Sequence, residues 1–328
     1  MEQRPLARLQ RTASVVGLGC WQLGADWGTV ADTTAMEILH AAADGGVTFF
    51  DTADVYGDGR SERFVGRLLR ERAGESLFVA TKVGRRARVQ EDAEYTETNL
   101  RAWVERSLVN LAVERLDLVQ WHCPPTATFE RESMYALFDT LVTEGKIAGY
   151  GVSVETVEQA RIAIAHPNVA SVQIIANAFR LKPFETVIPE AAASGVGVIA
   201  RVPLASGLLT AKFTPSSAFA EDDHRNYNRE GNAFDVGETF SGVPYELGVE
   251  AARELAALAP AGVTPAQAAL RWLIEQPGVT TVIPGASSVA QARANAAVGS
   301  LPPLPAAYDE AVHRIYDGTI RRHVHSRW

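Results

Sequence analysis

Four side chains stand out for the chemistry they could perform together. Asp51 closes the apolar run "VTFF" (47–50), and Tyr56 follows five residues later in "DTADVYGDG". Lys82 ends "LFVATK" (77–82), and His122 ends "LDLVQWH" (116–122). A titratable group at the end of a buried run is costly unless it is paired. Asp51 and Lys82 are natural partners. An unperturbed phenol titrates near ~10. An ammonium group ~4 Å away is worth roughly 4 kcal/mol at an effective dielectric of ~20, enough to lower that value by about two units. Tyr56 beside Lys82 therefore has the make-up of a proton donor to a carbonyl oxygen. Asp51 would hold Lys82 charged, and His122 would orient the oxygen or share the relay. Singly, each residue has an ordinary explanation, such as a packed tyrosine or a capping aspartate. Four of them at successive run ends favour a shared site.

The elements that must position them alternate between strand and helix. β-Branched runs recur at 14–19, 47–52, 77–82, 116–122, 149–154, 171–177, 196–202 and 280–285. Amphipathic segments lie between them. Gly45 and Gly46 stop one, and Phe64, Leu68 and Leu69 share a face of another. Thr264, Pro265 and Gln267 form a capping box with proline at the first helical position, and Ser288 with Gln291 repeats the box. Such alternation implies parallel strands with right-handed crossovers. The eight runs predict an α/β fold, a (β/α)8 TIM barrel, with residues 1–328 as one domain. No G-x-G-x-x-G follows a strand, so a doubly wound sheet lacks its phosphate loop. Residues 5–16 have room for an N-terminal β-hairpin that plugs the barrel bottom. After the seventh run comes a long, polar, Gly-rich loop at 213–245. Loops of that length are usually functional or disordered. Its His224, Arg225 and Asn226 fit a segment folding over a cofactor and fit a plain surface loop equally well.

Composition narrows the function classes. The chain has 328 residues, 47% hydrophobic and 21% charged, which suits a large core rather than disorder. A net charge of −8 without a basic stripe argues against nucleic acid. Arg85, Arg86 and Arg88 read as a solvated loop before they read as an anion site. Two cysteines, Cys20 and Cys123, are too few for a disulfide framework and read as small fillers. No metal-ligand spacing is present. The longest apolar stretch is broken by Arg201, Pro203 and several glycines, and the first residues lack a signal-peptide core. These features imply a cytoplasmic protein without membrane or nucleic-acid partners, and they leave the oligomeric state open.

Taken together, "DTADVYGDGRSE", "FVATKVG", "LDLVQWHCP" and "YGVS" resemble the aldo-keto reductase superfamily, in its bacterial NAD(P)H-dependent oxidoreductase branch. The likeness extends from "VVGLGCWQLG" to "VIPGASSVAQARAN". It implies a barrel that binds NADPH, with NAD possible, and transfers hydride to an aldehyde, ketone or sugar carbonyl. It also implies a tetrad of Asp51, Tyr56, Lys82 and His122, the same residues that the run ends single out. Cofactor contacts carried over by motif are Gly19, Trp21, Ser153 and Gln173, the last two for the carboxamide. Arg201 stands where relatives stack an aromatic ring on nicotinamide. Pro203, Leu204, Gly207 and Leu208 match the pyrophosphate loop, with Lys212 beside it. Gly285, Ser287, Gln291 and Asn295 match the adenosine end. Cys20 and Val154 depart from the pattern, and neither Ser287 nor Gln291 supplies the arginine common for a 2′-phosphate. A nucleotide-sensing regulatory subunit of the same fold is the alternative reading. A metal-dependent hydrolase would need more ligands than Asp51 and His122.

Overall fold

The computed structural model describes residues 1–24 and 30–328. A hairpin comes first, β1 (Gln3–Leu6) antiparallel to β2 (Arg11–Ser14). Eight parallel strands follow: β3 (Leu18–Gly19), β4 (Phe49–Asp51), β5 (Phe78–Val83), β6 (Leu118–His122), β7 (Tyr150–Ser153), β8 (Val169–Ile175), β9 (Gly197–Arg201) and β10 (Thr281–Val282). Each pairs with its neighbour in sequence. Parallel bridges Val16–Val282 and Gly19–Gly285 join the last strand to the first and close the barrel. Every run expected to be a strand contributes one. The outer two are shorter than expected, two residues each, because bridges carry the remaining pairing.

Both faces of these strands are buried, which is why they read as near-continuous apolar runs. Side chains alternate along a strand, so residues two apart share a face. On the inner face, Phe49, Ala80, Leu118 and Ile199 form a small core with Phe78, Ile283, and Leu6 and Ala13 of the hairpin. Two residues further along the same strands stand Asp51, Lys82, Gln120 and Arg201, all buried. The barrel interior thus changes from hydrocarbon at the bottom to a polar layer at the C-terminal ends. Helices such as Asp32–Asp44, Arg60–Glu71 and Pro265–Glu275 cover the outer face.

The hairpin seals the bottom. Arg4 donates to the carbonyls of Val279 at 2.6 Å and Ile274 at 2.7 Å, and Arg8 reaches those of His166 and Val169 at 2.8 Å. Glycine at two barrel positions makes room for its leucines. A Cβ on Gly149 would lie 2.2 Å from Leu9, and one on Gly197 would lie 2.4 Å from Leu6.

Candidate active site

Backbone geometry carries Tyr56 over the barrel mouth. Past the end of β4, Thr52 N–H still bonds to Ala80 C=O at 2.8 Å, and Asp54 N–H to Lys82 C=O at 3.1 Å. The chain then turns, with Tyr56 N–H on Ala53 C=O and Asp58 N–H on Val55 C=O. Gly57 (φ +57°) permits that turn and a close crossing, since a Cβ there would sit 2.0 Å from the Gly24 oxygen. Helix Arg60–Glu71 starts immediately afterwards, and its Ser61 hydroxyl ties the loop to Cys20 C=O at 2.9 Å.

The four residues singled out by spacing meet there. Lys82 Nζ lies 2.5 Å from Asp51 Oδ1, 3.0 Å from Thr52 C=O and 3.3 Å from Tyr56 Oη. The second oxygen of Asp51 accepts from Gln173 Nε2 at 2.7 Å and Gln120 Nε2 at 3.2 Å. The His122 ring meets Tyr56 edge-on at 5.8 Å, and the Trp21 ring stacks on Tyr56 at 5.9 Å. Burial works to depress the Lys82 pKa, but Asp51 and Tyr56 outweigh it and hold the ammonium above its ordinary value. Burial pushes the Tyr56 pKa up. Lys82 pulls against that shift, and Asp51 and Glu238 add to it. The net direction corrects the expected lowering: the phenol stays protonated, and the ammonium only limits the rise. His122 is held well below its usual range, first by burial and then by the cations Arg85, Lys82 and Arg201. Its imidazole is therefore neutral near pH 7.

A cavity of about 760 Å³ runs from this corner along the rim. Tyr56, His122 and Trp21 line one end, and Ser153 and Gln173 follow. Val202–Leu204, Ser206, Gly207 and Lys212 line its middle, and Gly285, Ser287, Gln291 and Asn295 the far end. Val202, Ala205 and Ser206 have left-handed backbones (φ 51°, 47° and 53°), followed by Gly207 at 98°. The turn closes on itself, with Ala205 N–H on Val202 C=O at 3.0 Å and Gly207 N–H on Leu204 C=O at 2.9 Å, and it presents Val202–Leu204, Ser206 and Gly207 to the cavity. Leu208, expected in this loop's contact set, does not line the cavity. It is buried against helix Tyr245–Ala256, where a Cβ on Gly248 would touch it. Ser288 caps helix Val289–Ala297 by accepting from Gln291 N–H at 3.3 Å. The expected reciprocal bond is displaced by one residue: Gln291 Oε1 accepts from the N–H and hydroxyl of Ser287 at 2.7 and 3.0 Å.

The sequence model of the Aldo/keto reductase family matches residues 15–317. This chain belongs to that family. By that membership it is an NAD(P)H-dependent oxidoreductase. It is 31% identical to the aldo-keto reductase YhdN of Bacillus subtilis over 313 residues, covering 90% of this chain and 87% of the relative. A probable voltage-gated potassium channel subunit beta of Arabidopsis thaliana is 28% identical, covering 93% of each chain. Among solved structures, the glycerol dehydrogenase AKR11B4 from Gluconobacter oxydans superposes with a TM-score of 0.75 at 29% identity, covering 98% of this chain and 96% of the other. An aldo-keto reductase from Klebsiella pneumoniae, solved in complex with NADPH, shares the fold with a TM-score of 0.70 at 23% identity, covering 96% of this chain and 95% of the other.

This aldo/keto reductase carries one assembly that the motifs did not reveal. Arg201, at the end of β9, lines the cavity with the edges of its guanidinium already engaged. Its guanidinium bonds to Val154 C=O and Glu155 at 2.9 Å and pairs with Glu238 at 2.5 Å. Arg85 pairs with the same two carboxylates at 3.0 and 3.5 Å. Four alternating charges therefore close a ring beside His122. Arg85 had read as part of a solvated cluster, and the ring corrects that. Glu155 and Glu238 carried no motif signal, and Glu238 arrives from the long loop. That loop is ordered against the barrel rather than standing off it. Asn177 holds Ser241 at 2.8 Å, and Trp328 donates to Asp235 at 2.9 Å. His224 packs its ring 5.1 Å from Trp21, while Phe213 and Arg225 line the cavity. Among the described residues, the cluster spaced closely enough for a metal is Cys123, Glu155 and Glu238, and the two arginines engage its carboxylates. The Cys123 thiol is pushed up to about 12, first by burial and then by Glu155, so it is no nucleophile.

Asp54, two residues before Tyr56, is fully buried. Neither of its carboxyl oxygens has a hydrogen-bond partner among the described residues. Burial, then Glu62, pushes its pKa up to about 8, against Arg86 and Arg106. An unfolded aspartate titrates near ~3.9. The folded form therefore keeps its proton longer, and stability is lost as pH rises from the unfolded value toward the folded one, at up to about 1.4 kcal/mol per pH unit. Asp54→Asn removes this titration. Thermal melts across pH 5–8 should show a shallower loss in the variant than in the parent chain. Parallel curves would show that Asp54 is already ionised in the native state.

Proposed function

We propose that this chain reduces an aldehyde, ketone or sugar carbonyl with NADPH, and runs the reverse oxidation, with Tyr56 as the proton donor. The 3.3 Å contact between Tyr56 Oη and Lys82 Nζ carries the reading, with Lys82 fixed by Asp51 at the head of a dinucleotide-sized cavity. Cavities of about 300–1,000 Å³ are typical of small-molecule sites. When bound, the nicotinamide supplies a hydride to the carbonyl carbon.

The chain's own residues do the rest. Tyr56 gives its phenolic proton to the carbonyl oxygen as the alcohol forms. Lys82 stabilises the phenolate left behind, and Asp51 keeps Lys82 charged and in place. Neutral His122 orients the oxygen without competing for the proton. Ser153 and Gln173 would hold the carboxamide, Gln173 through the amide oxygen that its bonds to Asp51 and Gln120 leave available. The left-handed loop and Lys212 would hold the pyrophosphate. Ser287, Gln291 and Asn295 would hold the adenosine end. NADPH is favoured over NADH on the family pattern, although an amide stands at position 291.

Steady-state oxidation of NADPH on a carbonyl panel tests the proposal, with parallel titrations of NADPH and NADH. Turnover with tighter NADPH binding is expected. The channel-subunit relative motivates a second reading, a nucleotide-sensing subunit. Tight NADPH binding without turnover on any carbonyl would favour that reading. No helix among the described residues is long and apolar enough to cross a membrane.

A further inference from the structure

We propose that the ring of Arg85, Glu155, Arg201 and Glu238 selects a neutral, hydroxylated carbonyl substrate, and that Arg85 is the specificity-determining residue. The inference rests on the reductase reading above. The ring stands beside His122, and Arg85, Arg201 and Glu238 line the cavity at the end that holds Tyr56. Its members come from four separate segments: after β5, after β7, the end of β9, and the long loop. Two cations and two anions close on one another, so the wall is rich in donors and acceptors without net charge.

Three substrate chemistries can be weighed against that wall. An anionic substrate must compete with Glu155 and Glu238 for guanidinium groups that are already paired. An apolar substrate strips water from Arg85 and Glu238 and returns no hydrogen bond, which is costly. A neutral chain bearing hydroxyls both donates to a carboxylate and accepts from a guanidinium, and so leaves the ring intact. Arg85 is the member most open to the cavity: 23% of its side chain is exposed, against 14% for Glu155, 8% for Glu238 and 7% for Arg201. Its contact to Glu238 is also the longest in the ring, at 3.5 Å. It can therefore turn toward a ligand hydroxyl at small cost. Sites built to bond a substrate hydroxyl discriminate strongly against analogues that lack it.

The test compares glyceraldehyde, propanal and succinic semialdehyde as substrates of the full chain with NADPH. The expected kcat/KM for glyceraldehyde exceeds those of the other two by at least ~10-fold. In Arg85→Met, the glyceraldehyde-to-propanal ratio falls toward one, while Arg85→Lys keeps part of it. A ring that only braces the long loop would lower both rates together and leave the ratio unchanged, which overturns the assignment to Arg85. A parent chain that turns over propanal or the semialdehyde as well as glyceraldehyde overturns the inference alone. No turnover on any carbonyl overturns the reductase reading and this inference together.

Discussion

Replacing Tyr56 with Phe lowers kcat for carbonyl reduction by about 100- to 10,000-fold, the range that a positioned acid contributes. The substitution removes one hydroxyl and little else. The ring keeps its stack on Trp21 at 5.9 Å and its edge contact with His122 at 5.8 Å. Lys82 loses an acceptor but retains Asp51 and the Thr52 carbonyl. The cavity keeps its shape, so NADPH should still bind, and the loss should fall on kcat rather than on cofactor affinity. Because burial holds the Tyr56 pKa above that of an ordinary phenol, reduction by the parent chain should show no acidic-to-neutral step from loss of this proton. Its rate falls only as alkaline pH removes the phenolic proton. Single-turnover measurements with saturating NADPH give the cleanest comparison. A variant within about tenfold of the parent would remove Tyr56 from the proposed chemistry.

Arg201→Met is the second large effect, and it acts on stability. The parent side chain is 7% exposed and is shared by two carboxylates that are themselves mostly buried. Removing one partner of a buried ionic assembly typically costs about 3–5 kcal/mol, because the remaining charges lose their compensation. For a chain of this size that corresponds to roughly 5–15 °C in Tm. Arg85 still bridges both carboxylates in the variant, which limits the loss. The pH dependence identifies the cause. Burial already raises the Glu238 pKa, against the pull of Arg201. Without that cation it rises further, so the folded variant holds a proton that the unfolded chain has lost. The variant therefore loses stability as pH rises, and its deficit should be larger at pH 8 than at pH 5. Equal melting temperatures, or a deficit independent of pH, would mean that the ring is not a coupled assembly. Arg201→Lys keeps the charge but not the two-pronged geometry, and an intermediate Tm is expected.

Local regularities in the chain determined the architecture. β-Branched runs, helical patterning, stop glycines and the Thr264–Gln267 box are written in short windows, and the eight strands appear where those windows placed them. The convergence of Asp51, Tyr56, Lys82 and His122 was legible for the same reason. Asp51, Lys82 and His122 end strands, and strand ends in a barrel share one rim. Tyr56 follows from the glycine-punctuated turn behind Asp51. Contacts between segments distant in sequence were not legible. The pairing of Arg85 and Arg201 with Glu155 and Glu238 depends on how four segments meet. An arginine in a polar stretch looks the same whether it ends in water or between two carboxylates. The side chain of Leu208 turns into the core for a similar reason, since helix Tyr245–Ala256 packs against its loop. The net direction of the Tyr56 pKa was likewise decided only by the fold. A sequence supplies the neighbouring ammonium, but the amount of water excluded from around the phenol depends on everything packed over it, and here that exclusion outweighs the charge.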